Sequence, residues 1–153
     1  MQQNTISALA FMTLAIGGPC VPNDPVSPAA ADPAVTEFVR LVDDVRRDAR
    51  CPKLEWDEDV AEVARRHSVD MIQRGFFDHI DPGNRSPFDR LKAAGIPYHR
   101  AAENILHGTA DARRALDLWM DSPGHRQNLV DCAYTHHGVG REAQHWTHVF
   151  ITP

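Results

Sequence analysis

The sequence has no apolar run near the ~20 residues that a helix needs to cross a bilayer, and no Lys/Arg cluster. The first lack excludes a membrane span in the mature protein. The second excludes a phosphate-binding face, and with it nucleic acid as a partner; the formal net charge of −5 is spread along the chain rather than gathered in a tail. There is no internal repeat. No G-x-G-x-x-G, P-loop or C-x-x-C pattern occurs, so nucleotide and dithiol redox chemistry have no support. Basic residues are missing from the start as well: Met1 to Thr5 has none, and the first in the chain is Arg40.

What is present fits one soluble domain. A chain of 153 residues with 42% apolar and 24% charged residues can build one core and is too short for two ordinary domains. Ile6 to Ile16 is about eleven apolar or small residues, the length of a signal-peptide core, and reads as an export signal despite its uncharged start. Gly17 to Pro33 is rich in Pro, Ala and Gly without periodicity and reads as a tether, which places the folded domain at 34–153. Cys20 falls at the end of the apolar stretch, where it is a lipid-anchor cysteine, is removed with the signal, or remains a free thiol. Cys51 and Cys132 lie inside the domain. An exported chain would pair them, closing a loop of about 80 residues worth on the order of 4 kcal/mol, whereas a cytosolic chain would keep two buried thiols. Nine histidines bring pH-dependent charge and metal affinity into consideration.

Periodicity gives helices first and strands late. Phe38, Leu41, Val42 and Val45 mark an amphipathic helix from about Pro33 to Ala49, with Asp43, Asp44, Arg46 and Arg47 on its outer face. Asp57 caps a second helix that Gly75 ends. Its buried stripe includes His67, expected as a core histidine bonded to backbone. Ser86-Pro87 opens a short helix closed by Gly95. A strand is expected over Ala102 to Leu106, then a helix capped by Thr109 and another opened by Ser122-Pro123 that carries His125. Strands over His136 to Arg141 and His145 to Thr152 follow, joined by a tight turn near Glu142 and Ala143. The class is α+β. Phe76, Phe77, Trp56, Trp119 and Trp146 are expected in the core, and Asn104 and Asn128 on backbone groups.

From Leu41 to Phe150 the chain resembles bacterial members of the CAP superfamily, the group of cysteine-rich secretory proteins, antigen 5 allergens and plant pathogenesis-related proteins. The resemblance rests on ordered blocks: Leu54-Glu55-Trp56-Asp57, His67 to Met71, Gly75 to His79, Ser86 to Arg90 and Ala102-Glu103-Asn104-Ile105. Trp119 to Asn128, Gly138-Val139-Gly140 and Trp146 to Phe150 complete the series. Single blocks are weak, but their order is specific. It implies a three-layer α-β-α sandwich around an antiparallel sheet, with a cleft lined by two His and two Glu. By motif His79 is the first His, Glu103 the first Glu and His125 the second His. The second Glu has no counterpart, because its place reads Asp121-Ser122.

Two imidazoles and a carboxylate suit Zn²⁺. His79 and His125 are the expected ligands, with Glu103 either a third ligand or the carboxylate that orients a histidine. The helix start after Pro123 is expected to keep His125 neutral. A hydrogen-bonded polar cluster with no metal is the other reading. No nucleophile stands out. The family implies an extracellular or envelope binding module for a small apolar ligand, a lipid or sterol, or an envelope component. The alternatives are a metal-dependent hydrolase of peptides or envelope polymers using the same cluster, and a structural envelope protein that uses no site.

Overall fold

The first helix, α1 (Pro33–Asp48), begins because Asp32 accepts a hydrogen bond from the Ala34 amide at 2.9 Å and Pro33 fits the first turn. The computed structural model describes residues 32–153; the expected signal, most of the tether and Cys20 lie outside them. Val35, Phe38, Leu41 and Val42 are buried along one stripe of α1, as their spacing requires. Arg46 corrects the expected polarity: it is 0% exposed rather than on the outer face. Its guanidinium donates to the carbonyls of Pro52, Leu129, Asp131 and Tyr134 at 2.8 to 3.2 Å. Burial pulls its pKa below the ordinary arginine value, and these carbonyls are what make its charge tolerable there.

The chain then makes β1 (Glu55–Trp56), α2 (Glu58–Arg74), α3 (Pro87–Ala93) and β2 (Arg100–His107). It continues through α4 (Ala112–Asp121), α5 (Pro123–Val130), β3 (His136–Glu142) and β4 (His145–Thr152). Caps follow local chemistry. Asp57 accepts from the Val60 amide, Gly75 closes α2 at φ 67°, and Ser86 with Asp89 forms a full capping box. One cap differs from expectation. Asp111, not Thr109, caps α4, and Thr109 instead accepts from the Asp111 amide one step earlier.

The sheet order is β1-β3-β4-β2. The pairs β3/β4 and β2/β4 are antiparallel as expected, and a short parallel β1 paired to His136 and His137 makes the sheet mixed. Helices α1, α4 and α5 cover one face and α2 with α3 the other, which gives the three layers. The first interface buries Phe38, Trp119, Trp146 and Phe150, and the second buries Val60, Leu91, Val149 and Ile151. Trp119 and Trp146 take the expected core places. Phe77 does not: it is 51% exposed.

Two features lock the fold, one between α2 and the sheet and one within the α1/α5 layer. A Cβ built on Gly138 would strike the backbone of Val60 and Ala61, and one on Gly140 the backbone of Ala64 and Arg65, so α2 lies directly on β3. Cys51 and Cys132 form a disulfide across a sequence separation of 81. The Cys51→Ser/Cys132→Ser protein is expected to lose on the order of 4 kcal/mol, read as a lower urea midpoint. An unchanged midpoint would show that the bond constrains little.

Candidate active or binding site around Glu103

Glu103 sits on β2, an edge strand, so side chains from either flanking layer can reach around it. Its side chain is 1% exposed and both of its oxygens are engaged. His79 Nδ1 lies 2.9 Å from Oε1 and, facing a carboxylate, carries the proton of that bond. Arg90 Nη2 donates to Oε2 at 2.8 Å. The other Arg90 terminal nitrogen donates to the carbonyls of His79 and Arg85 at 3.0 and 3.1 Å. The guanidinium therefore grips both the carboxylate and the backbone of the residue that bonds it.

The loop carrying His79 is stiffened from the far side. Asp81 accepts from the amides of Gly83 and Arg85 and from Arg85 Nε, and Asn84 takes the left-handed conformation at φ 60°. His67 backs the cluster. Its Nε2 donates to the Asp78 carbonyl at 3.1 Å, as expected of a core histidine, and also lies 3.9 Å from Glu103 Oε1. Its Nδ1 is buried without a partner. Burial lowers the His67 pKa, and the charge of Arg90 lowers it further against the opposing pull of Glu103.

His125 stands at the start of α5, its carbonyl accepting from Asn104 Nδ2 at 3.0 Å, while Asn128 donates to Asn104 Oδ1 at 2.8 Å. Asn104 serves a backbone group as expected; Asn128 serves a side chain instead. The pKa of His125 is lowered as expected, but the causes are burial and then the charge of His79. His79 and Glu103 are thus in direct contact, and His125 joins them through the field of His79.

These residues fall in an order that can be compared with known proteins. The profile of the cysteine-rich secretory protein family, CAP, matches residues 39–150. The chain belongs to the CAP family. An extracellular protein with an SCP domain from Bacillus anthracis superposes with a TM-score of 0.78 at 31% identity, covering 90% of this chain and 45% of that one. Among Bacillus subtilis proteins, the uncharacterized protein YkwD is 33% identical over 98% of this chain and 61% of its own length. The uncharacterized membrane protein YlbC is 40% identical over 65% of this chain and 29% of its own. The chain thus spans less than two thirds of each of these relatives.

Within this CAP domain, the donor set fits a metal only in part. Glu103 is poorly suited as a ligand, since one oxygen holds a proton of His79 and the other faces the positive Arg90. Among the described residues no three His, Cys, Asp or Glu side chains are grouped so as to hold an ion. What remains is the imidazole pair of His79 and His125, with Glu103 fixing the tautomer of His79. Most of the candidate nucleophiles are committed elsewhere. Ser68 is buried on the Gly140 carbonyl and Thr147, Ser86 is in its capping box, and both domain cysteines are in the disulfide. Ser122 stands at the N-cap of α5 without a side-chain cap bond.

Sequence reasoning missed Arg90 and the closeness of His67 to Glu103. Arg90 lies one helical turn from Pro87 and beside Leu91, both buried in α3. That spacing was the available signal for an inward-facing charge in need of a partner.

Proposed function

We propose that this CAP domain is an exported, non-enzymatic binding module whose cleft presents the imidazoles of His79 and His125 to its ligand. The observation that carries this reading is the commitment of both Glu103 oxygens. A general base must lie within hydrogen-bond reach of the substrate proton, and the Glu103 side chain, 1% exposed and bonded to His79 and Arg90, is shut away from one. A hydrolase would have to use the His79 imidazole as its base, which the substrate screen below tests. Glu103 then acts as an anchor that orients His79 and leaves its Nε2 for recognition; the His79 side chain is 44% exposed. Ile80, exposed and next to His79 in sequence, supplies apolar surface beside it. That combination suits a small apolar ligand, a lipid or sterol, or an apolar part of an envelope component with a polar group for the imidazoles. A divalent ion such as Zn²⁺, where bound in the cleft, would be held by His79 and His125, and it would add positive charge for an anionic ligand group.

Export is supported by the Ile6 to Ile16 segment and by the extracellular description of the Bacillus anthracis relative. Among the described residues no helix is long and apolar enough to cross a membrane.

A screen of the exported protein against peptide and glycan substrates, envelope polymers included, is expected to show no turnover. Turnover that disappears in Glu103→Gln would overturn the binding reading in favour of the hydrolase.

A further inference from the structure

A second pair of histidines meets where β2 ends and β4 begins. His107 is the last residue of β2 and His145 the first of β4, and the two face each other in the antiparallel register. The Gly108 amide donates to the Gln144 carbonyl at 3.1 Å beside them. The 108/144 pair is therefore the hydrogen-bonded one, and 107/145 is the non-hydrogen-bonded kind in which side chains stand closest. Their ring centroids are 4.5 Å apart with planes inclined at 41°. His145 Nδ1 is buried with no hydrogen-bond partner.

The surroundings leave the pair free of competing charge. Phe77 stands 5.9 Å from the His107 ring and 6.3 Å from that of His145. Met71, Ile72, Gly75 and Phe76 complete a hollow of about 380 Å³, and none of these side chains is ionisable. No Lys or Arg lines it to repel a cation, and no carboxylate lines it to bind an imidazolium.

We propose that His107 and His145 chelate a divalent transition ion of borderline softness, such as Zn²⁺, Ni²⁺ or Cu²⁺, at a site separate from the His79/His125 cleft. Imidazole nitrogen is a preferred donor for these ions. The strand register fixes both rings on one face, so little ordering entropy is spent in bringing them together. The site supplies two protein donors. The remaining positions are open to water or to a donor atom of a molecule lodged in the hollow beside Phe77.

Ni²⁺ is the probe. The exported protein with its disulfide intact is titrated calorimetrically while imidazole ring signals are followed by NMR. The expected result is a binding step that moves the His107 and His145 ring signals and is weakened roughly tenfold or more in His107→Ala and in His145→Ala. The same step persists in His79→Ala/His125→Ala. His107 is exposed at the strand end, and His107→Gln, which keeps polarity and bulk, gives a second variant with the same expected loss. Three results would overturn the proposal: ring signals of His107 and His145 that do not respond, affinity unchanged in their alanine variants, or a step lost only with His79 and His125.

Discussion

Gly140→Val is expected to leave no folded protein under conditions where the parent chain is stable. A Cβ at this position would overlap the backbone nitrogen and Cα of Arg65 and the carbonyl carbon of Ala64, all within α2. Backbone cannot move aside as the tip of a long side chain can, so relief requires lifting α2 off β3. That would separate the layer holding Val60, Ala64, Leu91, Val149 and Ile151, and break the bonds of Ser68 to the Gly140 carbonyl and Thr147. We expect a cost of at least about 5 kcal/mol, at the far end of single-substitution effects, against a typical stability of about 5 to 15 kcal/mol. Gly138→Val meets Val60 and Ala61 in the same way. Circular dichroism and a urea titration decide the matter; a cooperative transition near that of the parent would show that α2 is not seated as described.

Acidification is expected to begin destabilising the protein near pH 6.5, well above the pH at which its carboxylates protonate. His137 and His148 are fully buried between β3, β4 and the α1 layer, with His137 Nδ1 2.9 Å from His148 Nε2. The outer nitrogens, His137 Nε2 and His148 Nδ1, have no partners. Burial drives the His137 pKa down to about 3, with the charges of Arg46 and His136 adding to it. Burial drives His148 well below the ordinary 6.5, with His137 and Arg46 adding. Both folded values lie below the unfolded one, so the unfolded chain takes up protons first as pH falls. The stabilisation is complete above about pH 6.5 and is lost downward from there, at about 1.4 kcal/mol per pH unit for each histidine. His137 alone removes roughly 3 kcal/mol by pH 4, and His148 adds a loss of the same sign. Glu62, held at about 2 by Arg65 and Arg66, contributes a loss only at lower pH. Urea midpoints should be flat from pH 8 to 7 and fall steeply between 6 and 4. A midpoint constant down to pH 4.5 would mean that the pair is not held neutral in the core.

The features legible in the sequence are those set within one helical turn or one strand. The α1 stripe, the Asp57 and Ser86 caps, the Gly75 stop, the β3/β4 hairpin and the placement of His125 at a helix start all depend on neighbours in the chain. The features it concealed depend on partners far away. Arg46 has the spacing of an outward residue, and only the carbonyls of Leu129, Asp131 and Tyr134, more than 80 positions on, make its burial affordable. The two-residue β1 is too short to show any period. Phe77 has core composition, but the loop that fixes His79 leaves it outside. At the site, the motif order located His79, Glu103 and His125. That Glu103 is held by Arg90 could not be read, because α3 and β2 meet only in three dimensions. The Gly-Val-Gly block was visible as a motif, while its reason, a helix resting on both glycines, was not.

The central claim is that the cleft formed by His79, Glu103 and His125 holds a ligand and does no chemistry on it. The most direct measurement is native mass spectrometry, with metal analysis, of the parent chain and of His79→Ala/His125→Ala purified from the medium or envelope that receives them. The account predicts a bound species on the parent chain, beyond the mass of the disulfide-closed polypeptide, that is absent from the variant. A bare polypeptide mass in both proteins would contradict it.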